Sequence, residues 1–93
     1  MKIYLAGRIS GDPEYRKKFR AAARRLERSL GGAVLSPAEL PEGMSKTDYM
    51  QICFAELGRA DMAAFLADYK DSPGAMLERQ YCEYVGIPVI DLP

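Results

Sequence analysis

Residues able to do chemistry concentrate in one turn of this chain and in a carboxylate just beyond it. Ser72 or Asp71 can cap a helix by accepting a backbone N–H, and Pro73 suits a first helical position, where its missing N–H costs nothing. Gly74 lets the backbone approach a ligand closely. The free N–H groups at such a helix start favour an anion, and Glu78, about one turn further on, could act as a nucleophile or stabilise a cation.

The same turn also has a plain structural interpretation. Proline after Ser or Asp is common at helix starts, and Glu78 could be a solvated side chain that pairs with Arg79. Such a surface pair contributes at most about 1 kcal/mol. The spacing alone leaves both interpretations open.

A second turn, bounded by glycines, follows the first apolar segment. Gly7, Arg8, Ser10 and Gly11 supply backbone N–H groups, a guanidinium and a hydroxyl, which suit a phosphate. The pattern is neither GxGxxG nor the P-loop pattern, so it indicates neither a dinucleotide-binding motif nor an NTPase. An ordinary turn with an exposed arginine is the alternative.

The residue types that this chain lacks limit the reactions that it could catalyse. The chain has no histidine, which removes the usual general base and the commonest metal ligand. Cys53 and Cys82 lack CxxC spacing, which favours buried reduced thiols over a disulfide or a metal site. Carboxylates beside a sugar phosphate site suit an anomeric carbon, where an oxocarbenium-like transition state needs nearby negative charge. We expect no metal and no cofactor.

Composition predicts one small globular domain, 1–93. The 93 residues are 48% hydrophobic and 28% charged, and Lys plus Arg equals Asp plus Glu at 13 each. Net charge therefore gives no argument for nucleic acid or membrane as a partner. The basic residues crowded into 16–28 are expected to be a solvated helix face. Without a signal-peptide pattern or an apolar run that could span a bilayer, we expect a cytoplasmic protein.

Alternating strands and helices must position these residues. Apolar runs predict four strands, at 3–6, 33–36, 62–66 and 87–90. Helical spacing predicts three helices, at 13–30, 46–57 and 75–85, with a loop at 37–43. Asp12 is the expected N-cap of the first helix, and Ser45 with Asp48 resembles a capping box at the start of the second.

This order predicts an α/β fold of three layers, flavodoxin-like or Rossmann-like. We expect a four-stranded parallel sheet of order 2-1-3-4 with three helices on its two faces. The ligand crevice of such sheets lies at the carboxyl ends of the strands. The loops there should bring together Tyr4, Arg8, Ser10, Asp71, Ser72 and Glu78.

Four segments also resemble a known family. They are 3–7 (IYLAG), 60–61 (AD), 72–78 (SPGAMLE) and 86–89 (GIPV). The family is the nucleoside 2-deoxyribosyltransferase-like superfamily, and the match is to a small phage or bacterial branch of unknown function. The resemblance spans nearly the whole chain.

The resemblance implies roles by position. Glu78 matches the family's catalytic glutamate, and Tyr4 matches a tyrosine beside the sugar. Ser72 stands where transferases carry an acidic residue, as in the branch similar to 2′-deoxynucleoside 5′-monophosphate N-glycosidases, whose serine binds the 5′-phosphate. Segment 7–11 is similar to that branch's phosphate loop, with Ser and Arg exchanged. Cys53 replaces an Asp that helps the leaving base depart.

Three functions follow as hypotheses. The first is an N-glycosidase that releases free base from a (deoxy)nucleoside 5′-monophosphate, with Glu78 as nucleophile or oxocarbenium stabiliser, Tyr4 positioning the sugar and Asp71 as a spare acid. Its substrate-binding residues would be Gly7, Arg8, Ser10, Gly11, Ser72 and Gly74. The second is a nucleoside 2-deoxyribosyltransferase, and the third is a non-catalytic nucleotide-binding or interaction protein.

The expected partner is a small-molecule nucleotide or nucleoside. Small size and the resemblance favour a homodimer or a larger homo-oligomer. The second helix is rich in apolar side chains and is the expected interface. Those side chains are Tyr49, Met50, Ile52 and Phe54.

Overall fold

The computed structural model describes residues 1–93 and contains a parallel four-stranded sheet between two helical layers. The strands are β1 (Lys2–Ala6), β2 (Ala33–Leu35), β3 (Met62–Phe65) and β4 (Val89–Asp91). The helices are α1 (Tyr15–Leu30), α2 (Lys46–Arg59) and α3 (Pro73–Val85). The sheet order is β2-β1-β3-β4 with every pair parallel, which confirms the predicted fold class and strand order.

The buried central strand β1 distributes its side chains to both layers. Ile3 and Leu5 face the cluster formed with α1, which includes Phe19. Tyr4 and Ala6 face the opposite cluster, which includes residues of α2 and α3. Because successive side chains of a strand point to opposite faces, this alternation aims Tyr4 at the layer that carries Glu78.

Local hydrogen bonds set the helix starts. The expected capping box is present, since Ser45 Oγ accepts the Asp48 N–H and the Asp48 carboxylate accepts the Ser45 N–H, both at 3.1 Å. The predicted start of α1 at Pro13 was wrong, because α1 begins at Tyr15. The Asp12 carboxylate accepts the N–H of Glu14 at 2.9 Å, which makes a side-chain turn before the helix instead of a cap on it.

Two single-turn 3-10 helices lie in segments that the sequence predicted as irregular. Pro37–Glu39 occupies part of the expected loop, and Ser36 Oγ accepts the Ala38 N–H at its start. Tyr69–Asp71 precedes α3. Pro37 at the first helical position and Ser36 at the cap favour the first of these two turns.

Apolar side chains of α2 have partners within the chain. Phe54 packs edge-on against Tyr81, with ring centroids 5.3 Å apart, and Tyr49 and Met50 line a cavity described below. The large exposed apolar side chains of the helices lie instead mainly on α3, namely Met76, Leu77, Tyr84 and Val85. Three of the four side chains that suggested an interface on α2 thus have a place inside one chain, and an interface there stays a prediction.

The described helices are each too short or too polar to cross a membrane.

Two loops at the carboxyl edge of the sheet are bound to each other. The Lys18 ammonium bridges the carboxylates of Asp12 and Asp68 and donates to the Arg8 carbonyl at 2.9 Å. Asp68 also accepts the Arg8 N–H at 3.1 Å. At Gly7 the chain passes so close to β3 that an added Cβ would lie 2.7 Å and 2.9 Å from side-chain carbons of Leu66.

Gly7→Ala should therefore destabilise the protein. Because the added methyl meets a buried side chain, we expect a loss of about 1–3 kcal/mol in the free energy of unfolding, measured by urea denaturation. Gly58→Ala is the matched control, since its added Cβ would meet only the Tyr81 hydroxyl at 3.5 Å and alanine is the better helix former. Equal stability of Gly7→Ala and the wild type would contradict this packing.

Candidate active site

A cavity of about 420 Å³ opens at the carboxyl edge of the sheet. Its wall comes from the end of β1 and the following turn, the loop after β2, α2, and the start of α3. It brings together six predicted site residues. These are Tyr4, Gly7, Ser10, Ser72, Gly74 and Glu78.

Glu78 and Tyr4 form a buried pair in this wall. Glu78 lies in the second turn of α3 and is 5% exposed, while Tyr4 is fully buried. The Tyr4 hydroxyl donates to Glu78 Oε2 at 2.5 Å. The other carboxylate oxygen, Oε1, has no hydrogen bond from the protein, so the pair presents one oriented carboxylate with a free oxygen.

Burial controls the protonation of this pair. It raises the pKa of Glu78 to about 7, because desolvation and the Glu56 charge outweigh the lowering effect of the Tyr4 hydrogen bond. Burial and then the Glu78 charge raise the pKa of Tyr4 far above its ordinary value. Tyr4 therefore stays a hydrogen-bond donor, and Glu78 is populated in both forms near neutral pH.

Cys53 lies in the cavity wall beside this pair. The α2 thiol is 5% exposed and lies near enough to the Tyr4 hydroxyl to affect its pKa. Burial, with the charges of Glu78 and Glu56, raises the pKa of Cys53 to about 11. Cys53 is thus a neutral thiol, weak both as a nucleophile and as a proton donor.

The predicted turn forms the start of α3 as expected. Ser72 is the N-cap, its Oγ accepts the Ala75 N–H at 3.2 Å, and Pro73 is the first helical residue. An added Cβ on Gly74 would lie 3.4 Å from the Met50 sulfur, which places α2 directly beside this turn. The N-terminal end of α3 thus faces the cavity, where the Gly74 N–H, which has no partner in the chain, and the helix dipole favour an anion.

Three predicted site residues do not line the cavity. The Arg8 guanidinium folds onto its own turn and donates to the carbonyls of Ser10, at 3.2 Å, and Gly11, at 3.4 Å. Gly11 adopts a left-handed conformation with φ 81°, which closes that turn. Asp71 is exposed at the end of its 3-10 helix.

Comparison with known proteins gives the family. Residues 1–91 match the family model DUF4406, a domain of unknown function. The chain belongs to this family. No curated protein sequence matches the DUF4406 chain.

The fold of this DUF4406 protein is similar to that of a solved 2-deoxyribosyltransferase from the psychrotolerant bacterium Bacillus psychrosaccharolyticus. The TM-score is 0.73 at 25% sequence identity, over 98% of this chain and 71% of that chain. That enzyme is described as a biocatalyst for the synthesis of antiviral and antitumoral nucleosides. The likeness confirms the predicted nucleoside 2-deoxyribosyltransferase-like fold.

Several lining residues of the DUF4406 chain were missed by the sequence reasoning. Lys46, Tyr49 and Met50 come from the first turns of α2, and Tyr15 is the first residue of α1. Both tyrosines hold the loop after β2, since the Tyr49 hydroxyl donates to the Pro41 carbonyl at 2.6 Å and that of Tyr15 to Glu42 at 3.3 Å. In an open parallel sheet, the helix that follows a strand begins near the carboxyl edge of the sheet, where the ligand crevice lies. This rule could have predicted from the sequence that the first residues of α1 and α2 line the cavity.

The arrangement combines an oriented carboxylate, an anion-favouring helix start and aromatic walls. A volume near 420 Å³ lies in the range of small-molecule sites. No cluster of three or more Cys, Asp or Glu side chains is placed to hold a metal ion. The Glu78 carboxylate, oriented by Tyr4, is a group in this wall that can meet a cation or act as a nucleophile.

Proposed function

We propose that this protein cleaves the N-glycosidic bond of a (deoxy)nucleoside 5′-monophosphate and releases the free base. The observation that carries the proposal is the buried Tyr4–Glu78 pair in the wall of the cavity. A carboxylate held in a poorly solvated pocket can stabilise the positive charge that develops at the anomeric carbon, or form a bond to it.

In the proposed reaction, ionised Glu78 acts through its free oxygen. As the bond from the anomeric carbon to the base nitrogen breaks, the electron pair leaves with the base and the carboxylate oxygen bonds to the carbon. Water then attacks the same carbon, loses a proton and returns Glu78 to its ionised form. If the carboxylate only stabilises the oxocarbenium ion, water attacks that ion directly.

Tyr4 holds the attacking group in place. Its hydroxyl occupies Oε2 and leaves Oε1 for the sugar. Because its raised pKa keeps the phenol protonated, it acts as an orienting donor and not as a base. The departing base would take its proton from water, which also receives the proton that the attacking water loses, since the neighbouring Cys53 thiol is a weak proton donor.

The spacing within α3 suits a sugar phosphate. Ser72 and Glu78 are six residues apart, which is about 9 Å along a helix axis, and the Glu78 side chain tilts back towards the helix start. A phosphate at the N-terminal end of α3 and an anomeric carbon at the carboxylate can therefore belong to one nucleotide. Ser10 and Ser72 supply hydroxyls at that end.

Transfer of deoxyribose between bases is the second candidate. Its support is the likeness of the fold to a 2-deoxyribosyltransferase. In that reaction a second base, and not water, attacks the anomeric carbon. The proposal further includes a cytoplasmic location and a homo-oligomer, for which the exposed apolar side chains of α3 offer a surface.

Chromatography of reaction products tests the proposal. The protein is incubated with ribo- and deoxyribonucleosides and their 5′-monophosphates, and released base is measured. We expect base and sugar phosphate from monophosphates without any added acceptor. Release only when a second base is present would favour the transferase, and no release from any substrate by the folded protein would contradict both enzymatic functions.

A further inference from the structure

We infer that Lys46, and not Arg8, supplies the positive charge that binds the substrate's phosphate, and that Lys46 thereby sets the preference for a nucleotide over a nucleoside. This inference deepens the proposed function and depends on its sugar phosphate site. It assigns binding of the phosphate to the first residue of α2 instead of the turn after β1.

Arg8 is already committed elsewhere. Its Nε and Nη2 donate to the carbonyls of Ser10 and Gly11, and its side chain does not line the cavity. Turning it towards a ligand would break both bonds. The turn would also lose packing contacts. The Arg8 guanidinium lies against Gly11, since an added Cβ on Gly11 would lie 2.8 Å from Arg8 Nη2.

Two other cations around the site, Lys18 and Arg16, are likewise occupied. Lys18 bridges the carboxylates of Asp12 and Asp68. Arg16 donates to the carbonyls of Ala38 and Leu40, at 3.2 Å and 3.4 Å. These groups hold the loops around the cavity and have little capacity left for an anion.

Lys46 is the one cationic side chain among the residues that line the cavity. It forms no ion pair, and Asp48, the acid nearest in sequence, serves the capping box with Ser45. Its exposed position at the mouth leaves the ammonium hydrated and free to move. A free cation in the cavity wall is available to bind an anionic ligand.

Lys46 also lies on the correct side of the cavity. It is one helical turn before Met50, so the two side chains share a face of α2. The sulfur of Met50 lies 3.4 Å from the position of a Cβ on Gly74, at the start of α3. The face that carries Lys46 therefore runs past the N-terminal end of α3, where the helix dipole and the Gly74 N–H favour an anion.

The charge balance favours a phosphomonoester here. Ionised Glu78 would repel a dianionic phosphate in the same cavity, and a mobile ammonium at the α3 end offsets that repulsion. An uncharged nucleoside gains nothing from Lys46. Lys46 should thus affect binding of phosphorylated ligands alone.

The test measures binding without turnover. 2-Deoxyribose 5-phosphate carries the sugar and phosphate but no base, and its dissociation constant is measured by NMR titration of the wild type, Lys46→Met, Lys46→Arg, Arg8→Met and Lys17→Met. Lys17 is an exposed lysine of α1 outside the cavity and serves as the matched control. Unphosphorylated 2-deoxyribose is titrated in parallel.

We expect Lys46→Met to weaken binding of the sugar phosphate about tenfold or more, a typical effect of losing one charge-assisted contact. Lys46→Arg should restore most of it, while Arg8→Met, Lys17→Met and the titrations with 2-deoxyribose should show no such change. The inference is overturned if Arg8→Met weakens binding and Lys46→Met does not, or if the wild type does not bind the sugar phosphate. Binding through Lys46 without base release would reject only the proposed function.

Discussion

Replacement of Glu78 by glutamine should lower base release from a 5′-monophosphate at least about a hundredfold, the scale expected for a group that acts at the reacting centre. The amide keeps nearly the same shape and can still accept the Tyr4 hydrogen bond through its oxygen. It carries no negative charge to meet the cation at the anomeric carbon. Initial rates measured by chromatography at about pH 8, where the wild-type carboxyl is mostly ionised, check this result.

The matched control is Glu83→Gln on the same helix. The Glu83 side chain is 67% exposed and lies 3.7 Å from Arg79, so its loss removes one surface charge and little else. We expect it to release base at the wild-type rate. Equal activity of Glu78→Gln and Glu83→Gln would place the chemistry elsewhere in the protein.

Glu78→Gln should change the stability of the protein in the opposite direction to its activity. Folding raises the pKa of Glu78 from 4.5 to about 7, so the folded state binds its proton more tightly than the unfolded state. The associated stability is present below about pH 4.5 and is lost as pH rises through about 7. At about pH 8, wild-type Glu78 is a buried charge, whereas the amide is neutral.

Glu78→Gln should therefore gain stability over the wild type as pH rises, by about 3 kcal/mol at most between acid and mildly alkaline pH. Urea denaturation of both proteins across that range measures the difference. A difference that does not change with pH would mean that Glu78 has an ordinary pKa and is better solvated than the structure indicates.

The elements that position the site were accessible from sequence because local rules and topology agree there. The alternation of β1 directs Tyr4 towards the layer of α3, and the Ser72 cap with Pro73 starts the helix that carries Glu78. Parallel pairing then brings the ends of β1 and β3 to one edge. Each step rests on backbone geometry, which residue type and spacing encode strongly.

The parts that the sequence did not predict depend on long side chains and on competing local bonds. Arg8 was expected to reach a ligand, but two carbonyls of its own turn take its donors. Asp12 was expected to cap α1, but its carboxylate accepts from the Glu14 N–H in the preceding turn and from the Lys18 ammonium. Lys46 and Tyr49 lie at the cavity because of where α2 crosses the sheet, which depends on tertiary packing.

Tyr4→Phe separates a catalytic role of the pair from a structural one. If ionised Glu78 is required, kcat/KM of the wild type should rise with pH to a plateau, with a midpoint at about 7. The Tyr4 hydrogen bond lowers the pKa of Glu78, so its removal should move that midpoint to higher pH. The rate at neutral pH should fall about tenfold or more, because less carboxylate is present and it is less well oriented.

The readout is the pH profile of kcat/KM, compared with that of Tyr84→Phe. Tyr84 is 92% exposed on α3, so its hydroxyl should not affect Glu78. A Tyr4→Phe variant that loses activity with an unmoved midpoint would assign Tyr4 to packing alone. A midpoint that moves upward, with activity recovered at alkaline pH, would show that Tyr4 on β1 helps to set the protonation state of Glu78 on α3. The central strand would then contribute to the chemistry of the cavity.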